Sequence, residues 1–218
     1  MRRSVSDTPS QGGATQPRRA THRPAKIDVI AIGVSTGGPT ALSQVLSALP
    51  KNFPCPIVIT QHMPPMFTRL LAERLALKSQ IRVEEAVEGS VLEPGLALIA
   101  PGGHHLKLKS SDGTAVVTLD DGPPENSCRP AVDVMFRSVA DIFGGNTLAV
   151  MMTGMGKDGL NGTQDLKAAG ASVLAQDRAS SVVWGMPGYV VDAGLADIVA
   201  SLNDIAPTMT ALAQGIKR

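Results

Sequence analysis

Between Ile27 and Pro39 the chain runs IDVIAIGVSTGGP, and no other stretch limits its folding choices as tightly. Ile27, Val29, Ile30, Ile32 and Val34 form a near-continuous apolar run. That is the pattern of a parallel strand covered on both faces, not of a half-exposed one. The run breaks at Gly33-Val34-Ser35-Thr36-Gly37-Gly38-Pro39. Proline presets a helix-like φ and lacks the N–H that a first helical turn leaves unpaired, so Pro39 suits a helix start. Apolar residues at 41, 42, 45, 46 and 49 then recur at helical spacing. Ser35 is thus expected in a strand–turn–helix corner, beside the free N–H groups of a helix amino end.

The rest of the chain repeats this alternation. Cys55–Thr60 is a second buried strand that ends at Gln61-His62-Met63-Pro64-Pro65, and Phe67–Leu77 has the spacing of an amphipathic helix. Ile81–Ala86 is a third strand. Residues 87–121 change texture: short alternating segments between Gly, Pro and Asp turns predict a β-hairpin excursion, with Asp112-Gly113 as its turn. Ala131–Phe143 is a helix and Thr147–Thr153 a buried strand. That strand runs into Gly154-Met155-Gly156-Lys157-Asp158-Gly159 and a helix through about Ala169. Ala171–Gln176 is a further strand, followed by a loop at Trp184–Pro187, a helical stretch near Tyr189–Ala193 and a last helix from about Ile205. Buried strands alternating with helices predict an α/β fold: a doubly wound, mostly parallel sheet in a three-layer, Rossmann-like arrangement.

Charge is unevenly placed. Six basic residues against Asp7 leave residues 1–26 at +5, so a net charge of +1 leaves the remainder at −4. The first 26 residues, rich in Ser, Thr, Gln, Gly, Pro and Arg, bury too little to offset their ordering entropy and are expected to be a disordered basic linker or tail. Residues 27–218 form the folded domain. Its mild acidity and an aromatic content of 3% argue against a nucleic-acid surface. No apolar run is long enough to span a bilayer, and no h-region follows the basic start. Cys55 and Cys128 stand alone, without metal-ligand spacing. Both are expected to be buried and inert, in a protein of the reducing cytoplasm.

Three strand ends carry reactive side chains: Ser35, His62 and Asp158. A serine hydroxyl is a weak nucleophile at neutral pH and needs a base within reach. The imidazole needs a carboxylate to hold its tautomer and support its cation. Parallel strands present their carboxyl ends along one rim, so residues far apart in sequence can meet there. Each also has a plain structural job available. Ser35 and Asp158 suit helix N-caps, and His62 suits a satisfied core position. His104 and His105 compete as bases but fall in the hairpin, where exposed turn positions are expected.

Two short matches mislead. Gly33–Gly37 fits the GxSxG nucleophile elbow of the α/β hydrolases. That fold places its acid between serine and histidine, yet no Asp lies between Ser35 and His105. Gly154–Gly159 fits GxGxxG after a strand, with Asp177 following a later one, so a nicotinamide-dinucleotide-binding oxidoreductase is the second reading. Against it stands Asp158, whose carboxylate inside the turn would repel a pyrophosphate.

Six blocks in order, GVSTGGPTAL, ITQHMPPMFT, APGGHHLKL, DDGPPENSCRPAVDVMF, MMTGMGKDGLNGT and VVWGMP, resemble the catalytic domain of the chemotaxis protein-glutamate methylesterases. The resemblance runs from about Ile27 to Asp197. It implies a serine hydrolase that removes methyl esters from glutamate side chains of chemoreceptors and deamidates receptor glutamines, with no metal or organic cofactor. It implies Ser35 as nucleophile, His62 as base and Asp158 as orienting acid, with Thr36 in the site and the backbone at Met155 supporting the oxyanion. Arg129 and Asp133 fall in matching blocks and are expected to be structural; the Trp184–Pro187 loop is expected to line the cleft. Family members usually carry an upstream phospho-receiver domain. Such a domain needs roughly a hundred residues, so the chain reads either as a fragment beginning in an interdomain linker or as a stand-alone esterase.

Overall fold

The central strand, β1 (Val29–Val34), is buried at every position. It forms the middle of a seven-stranded sheet in the computed structural model, which describes residues 26–215. The expected basic tail lies outside the described residues, apart from Lys26. In chain order the elements are β1, α1 (Gly38–Ser47), β2 (Ile57–Gln61), α2 (Phe67–Ala76), β3 (Arg82–Glu85), β4 (Leu96–Ile99), β5 (His105–Ser111) and β6 (Thr114–Asp120). Then follow α3 (Val132–Phe143), β7 (Thr147–Met151), α4 (Leu160–Ala168), β8 (Ser172–Gln176), α5 (Met186–Asp192), β9 (Ile198–Ala200) and α6 (Leu202–Ala213). The large sheet has the order β3-β4-β2-β1-β7-β8-β9, and every pairing in it is parallel.

Alternation along each strand sorts the side chains onto two faces. Ile30, Ile32 and Val34 of β1 join the core under α1, α2 and α6. Val29 and Ala31 join the other core, under α3, α4 and α5 and the hairpin residues Leu106, Leu108 and Val117. The result is the expected three-layer α/β fold. From β1 the chain winds outward through β2; from β7 it winds the other way through β8 and β9. The sheet therefore reverses its winding between β1 and β7, and open α/β sheets bind ligands at the strand carboxyl ends beside such a reversal.

Three expectations change. Leu96–Ile99 is not part of the hairpin excursion: it is a fully buried inner strand, between β2 and β3. Only β5 and β6 form the separate antiparallel pair, closed by Asp112 and Gly113, both at positive φ. A short strand, Ile198–Ala200, adds the edge at β8. The last helix begins at Leu202, three residues before Ile205, and tolerates Pro207 inside it. Among the described residues, no helix is long and apolar enough to cross a membrane.

Candidate active site

Val34 is paired in register with Gln61, so the next residues, Ser35 and His62, leave neighbouring strands side by side. On its other flank Ser35 continues the ladder with β7: its N–H donates to the carbonyl of Thr153 at 3.0 Å. Ser35 is not the N-cap of α1. That position is Gly37, held at φ +85°, a conformation that favours glycine. The serine hydroxyl is therefore not used as a cap, and it makes no hydrogen bond among the described residues.

The amide of Gln61 ties the two corners together. Buried at the end of β2, its Nε2 donates to the Ser35 carbonyl at 3.1 Å and to the His62 carbonyl at 3.0 Å. Its Oε1 sits against Gly38, where an ideal Cβ would lie only 1.9 Å away. This residue was not singled out from sequence; its signal was a polar side chain at the last position of a buried strand.

The ring of His62 and the carboxylate of Asp158 are in direct contact, Nε2 to Oδ2 at 2.6 Å. Asp158 is 3% exposed. It does not cap the helix that follows it. Its Oδ2 accepts the N–H of Val132 at 2.6 Å, and its Oδ1 accepts the N–H of Asp133 at 3.1 Å, both in the first turn of α3. Asn126 Nδ2 completes the set, donating to Oδ1 at 2.9 Å. Burial pushes the Asp158 pKa up, but the His62 contact and the two backbone donors of α3 outweigh it, so the group lies below the usual carboxylate range. A helix amino end is also a favourable place for a negative charge. Burial likewise opposes a charged His62, yet Asp158 and the neighbouring Cys128 raise its pKa to about 9. Asp158 thus acts as an ionised partner for an imidazolium.

Gly154 follows Thr153, and its backbone packs against the serine. A Cβ there would stand 2.9 Å from the Cβ of Ser35 and 2.3 Å from the sulfur of Met186. The Trp184–Pro187 loop clamps this turn: the N–H groups of Gly185 and Met186 both donate to the Gly154 carbonyl, at 3.1 and 2.8 Å. The backbone N–H groups of Met155 and Thr36 make no hydrogen bond among the described residues. Both residues are exposed, Met155 at 69%.

The structure therefore brings His62 and Asp158 into contact and sets Ser35, Thr36 and the Gly154–Met155 turn along the same rim. It corrects two other expectations. Cys55 is buried, with its thiol pushed up to about 11 mainly by burial, but Cys128 is only half-buried and lies beside His62. His105 is not an exposed turn residue: it is 2% exposed on β5, with one ring nitrogen against the Ala131 N–H and the other against the Pro123 carbonyl. Arg129 and Asp133 are both bonded to backbone. Arg129 donates to the carbonyls of Asp121 and Gly122, and Asp133 accepts the Gly162 N–H. The dinucleotide reading gains no support. The Gly154–Gly159 turn holds the buried Asp158, and the Asp177 side chain closes its own turn onto Ser180.

Comparison with known proteins agrees with this fold. The family model described as CheB methylesterase matches residues 30–209. A Trichodesmium erythraeum protein named protein-glutamate methylesterase/protein-glutamine glutaminase is 53% identical over 181 residues, covering 83% of this chain and 51% of that protein. A Rhodopseudomonas palustris protein of the same name, from a group 2 operon, is 50% identical over 188 residues, 86% of this chain and 48% of its own. The chain thus spans about half the length of the curated relatives it matches. The crystal structure of the Thermotoga maritima CheB methylesterase catalytic domain is 44% identical with a TM-score of 0.84, covering 85% of this chain and 98% of that one. The sheet order, the strand-end site and these matches together establish that the chain belongs to the CheB methylesterase family.

Proposed function

We propose that this protein is a serine hydrolase that removes methyl esters from glutamate side chains of chemoreceptors, and by the same route deamidates glutamines. The observation that carries the reading is the buried 2.6 Å contact between His62 and Asp158, at the strand end next to that of Ser35.

In the proposed reaction Ser35 is the nucleophile. His62 Nε2 is committed to Asp158, so the ring must act through Nδ1. The proton of Ser35 Oγ passes to that nitrogen as Oγ attacks the ester carbonyl. Asp158 then faces an imidazolium, the state its charge favours. Catalytic contacts are often long before substrate is bound and tighten during reaction, which accommodates a serine hydroxyl not bonded to the ring. The free N–H groups of Met155 and Thr36 receive the oxyanion; one such donor is worth about 3–4 kcal/mol in a comparable site. Collapse of the tetrahedral species expels methanol, protonated by His62. Water then hydrolyses the glutamyl-enzyme with His62 again as base. A glutamine substrate follows the same path with ammonia as leaving group. No step calls for a metal or organic cofactor. The partners in this reading are the cytoplasmic helices of methyl-accepting receptors, so the protein acts in the cytoplasm.

The decisive experiment is methanol release from methylated receptor. Ser35→Ala should abolish it while the circular-dichroism spectrum and melting temperature stay near those of the parent. Substantial remaining turnover would remove Ser35 from the nucleophile's role.

A further inference from the structure

Cys128 takes no part in the reaction above, yet it lies beside the base. One ring nitrogen of His62, the sulfur of Cys128 and one carboxylate oxygen of Asp158 all fall within 4.8 Å of one another. They come from three segments: the end of β2, the loop before α3 and the turn after β7. A cavity of about 260 Å³ lined by His62, Met63, Cys128 and Pro130 opens beside them, so the cluster is reachable from solvent.

We propose that His62, Cys128 and Asp158 form a binding site for a thiophilic divalent cation, Zn2+ foremost, whose occupancy blocks the active site. Thiolate, imidazole and carboxylate together are the donor set of zinc; magnesium and calcium prefer oxygen ligands throughout. With ligand distances of about 2.0–2.3 Å, tetrahedral donors stand roughly 3.3–3.5 Å apart. A cluster already within 4.8 Å reaches that spacing by side-chain adjustment, without moving strands or helices. The ion takes the place of the proton between His62 and Asp158 and expels the proton of the thiol. Binding therefore releases protons and strengthens as pH rises. Arg129 lines the same cavity, but its guanidinium is turned to the carbonyls of Asp121 and Gly122. Inhibition follows because an imidazole that gives its Nε2 lone pair to the ion keeps its remaining proton on Nδ1, and so has no lone pair there for the serine proton. The binding site does not depend on the esterase reading; the inhibition rests on it.

The test uses Co2+ as a spectroscopic stand-in and Zn2+ as competitor on the whole chain near neutral pH. Co2+ should produce a near-ultraviolet thiolate-to-metal charge-transfer band that Zn2+ abolishes. Cys128→Ser should remove the band and weaken Zn2+ binding by more than the roughly 10- to 100-fold that second-layer substitutions cost. Cys55→Ala should keep the band. Zn2+ should also slow alkylation of Cys128 by iodoacetamide and reversibly suppress methanol release, with recovery on chelation. No band, a band that survives Cys128→Ser, or alkylation indifferent to Zn2+ overturns the site. Binding without loss of turnover overturns the inhibition alone. A preparation with no turnover even after chelation counts against the proposed esterase and leaves the cobalt result standing.

Discussion

Asp158 and Asp133 exchange helix ends. Asp158, just before α4, accepts the first N–H groups of α3; Asp133, in the first turn of α3, accepts the N–H of Gly162 in the first turn of α4 at 2.7 Å. Two like charges are thereby buried close together, and Asn126 Nδ2 spans both at 2.9 Å. Their pKa values are driven apart: burial raises that of Asp133, while His62 and α3 hold that of Asp158 down. The carboxylate whose pKa is held down is the one that touches His62.

Asp158→Asn should therefore do more than delete a charge. Four donors converge on the two oxygens of Asp158, so an amide NH2 there must oppose at least one of them. We expect a stability loss of about 3 kcal/mol and a fall in kcat of about 10³- to 10⁴-fold. The pKa of His62 should drop from about 9. Ring-proton NMR titration, denaturant melts and methanol release check the three parts.

The raised His62 pKa sets two opposite pH slopes. The base form grows as pH climbs, so kcat/KM should rise through neutrality, reach half its limit near pH 9 and level off above that. Stability should run the other way. A group whose folded pKa is raised contributes fully below its unfolded value, here 6.5, and loses that contribution as pH rises through about 9. The loss should be of order 3 kcal/mol across that window. Thermal melts at a series of pH values should show the alkaline decline in the parent and little of it in His62→Gln.

Gly154→Ala should cripple turnover through sterics alone. The added methyl meets Met186 sulfur at 2.3 Å and Ser35 Cβ at 2.9 Å. Overpacking of this kind costs about 1–3 kcal/mol, and a serine displaced by an ångström loses about 100-fold in rate. Adding Met186→Ala should recover little of the kcat, because the contact with Ser35 persists, and little of the melting temperature, because truncating this buried methionine costs about 2–5 kcal/mol of its own.

Asn126→Gly isolates the amide that spans the two carboxylates. Asn126 sits at φ 51°, which glycine adopts without strain, so the substitution removes two hydrogen bonds and leaves the turn intact. We expect about 1–2 kcal/mol lost and a lower kcat with KM little changed. Asn126→Asp should be worse than Asn126→Gly, since it adds a third carboxylate to the pair. Parallel melts and steady-state kinetics of the two variants decide the order.

The parts legible in the sequence are those set by local pattern. The apolar run of β1 and its glycine corner announce a buried parallel strand and the place of Ser35. The positions of His62 and Asp158 after buried strands follow from the same logic. What escaped is what distance along the chain conceals. Leu96–Ile99 is too short for periodicity to separate it from the turn-rich segment around it, and only its burial between β2 and β3 identifies it. Ile198–Ala200 is a half-exposed edge of three residues. The last helix starts at Leu202, three residues before Ile205, so Pro207 lies inside it rather than at its first turn. The partners of Asp158 lie 25 and 26 residues earlier in the chain, and Asn126 lies 32 earlier, where no spacing rule reaches. Cys128 was misplaced for the same reason: a lone thiol carries no local mark of what it will face.

The β5–β6 hairpin is joined to the His62 ring by a short chain of contacts. His105 on β5 holds the N–H of Ala131, and Ser138 of α3 accepts the N–H of Leu108. The first turn of α3 in turn holds Asp158, and Asp158 holds His62. The small antiparallel pair thus braces the helix turn that holds Asp158, and through Asp158 it reaches the His62 ring.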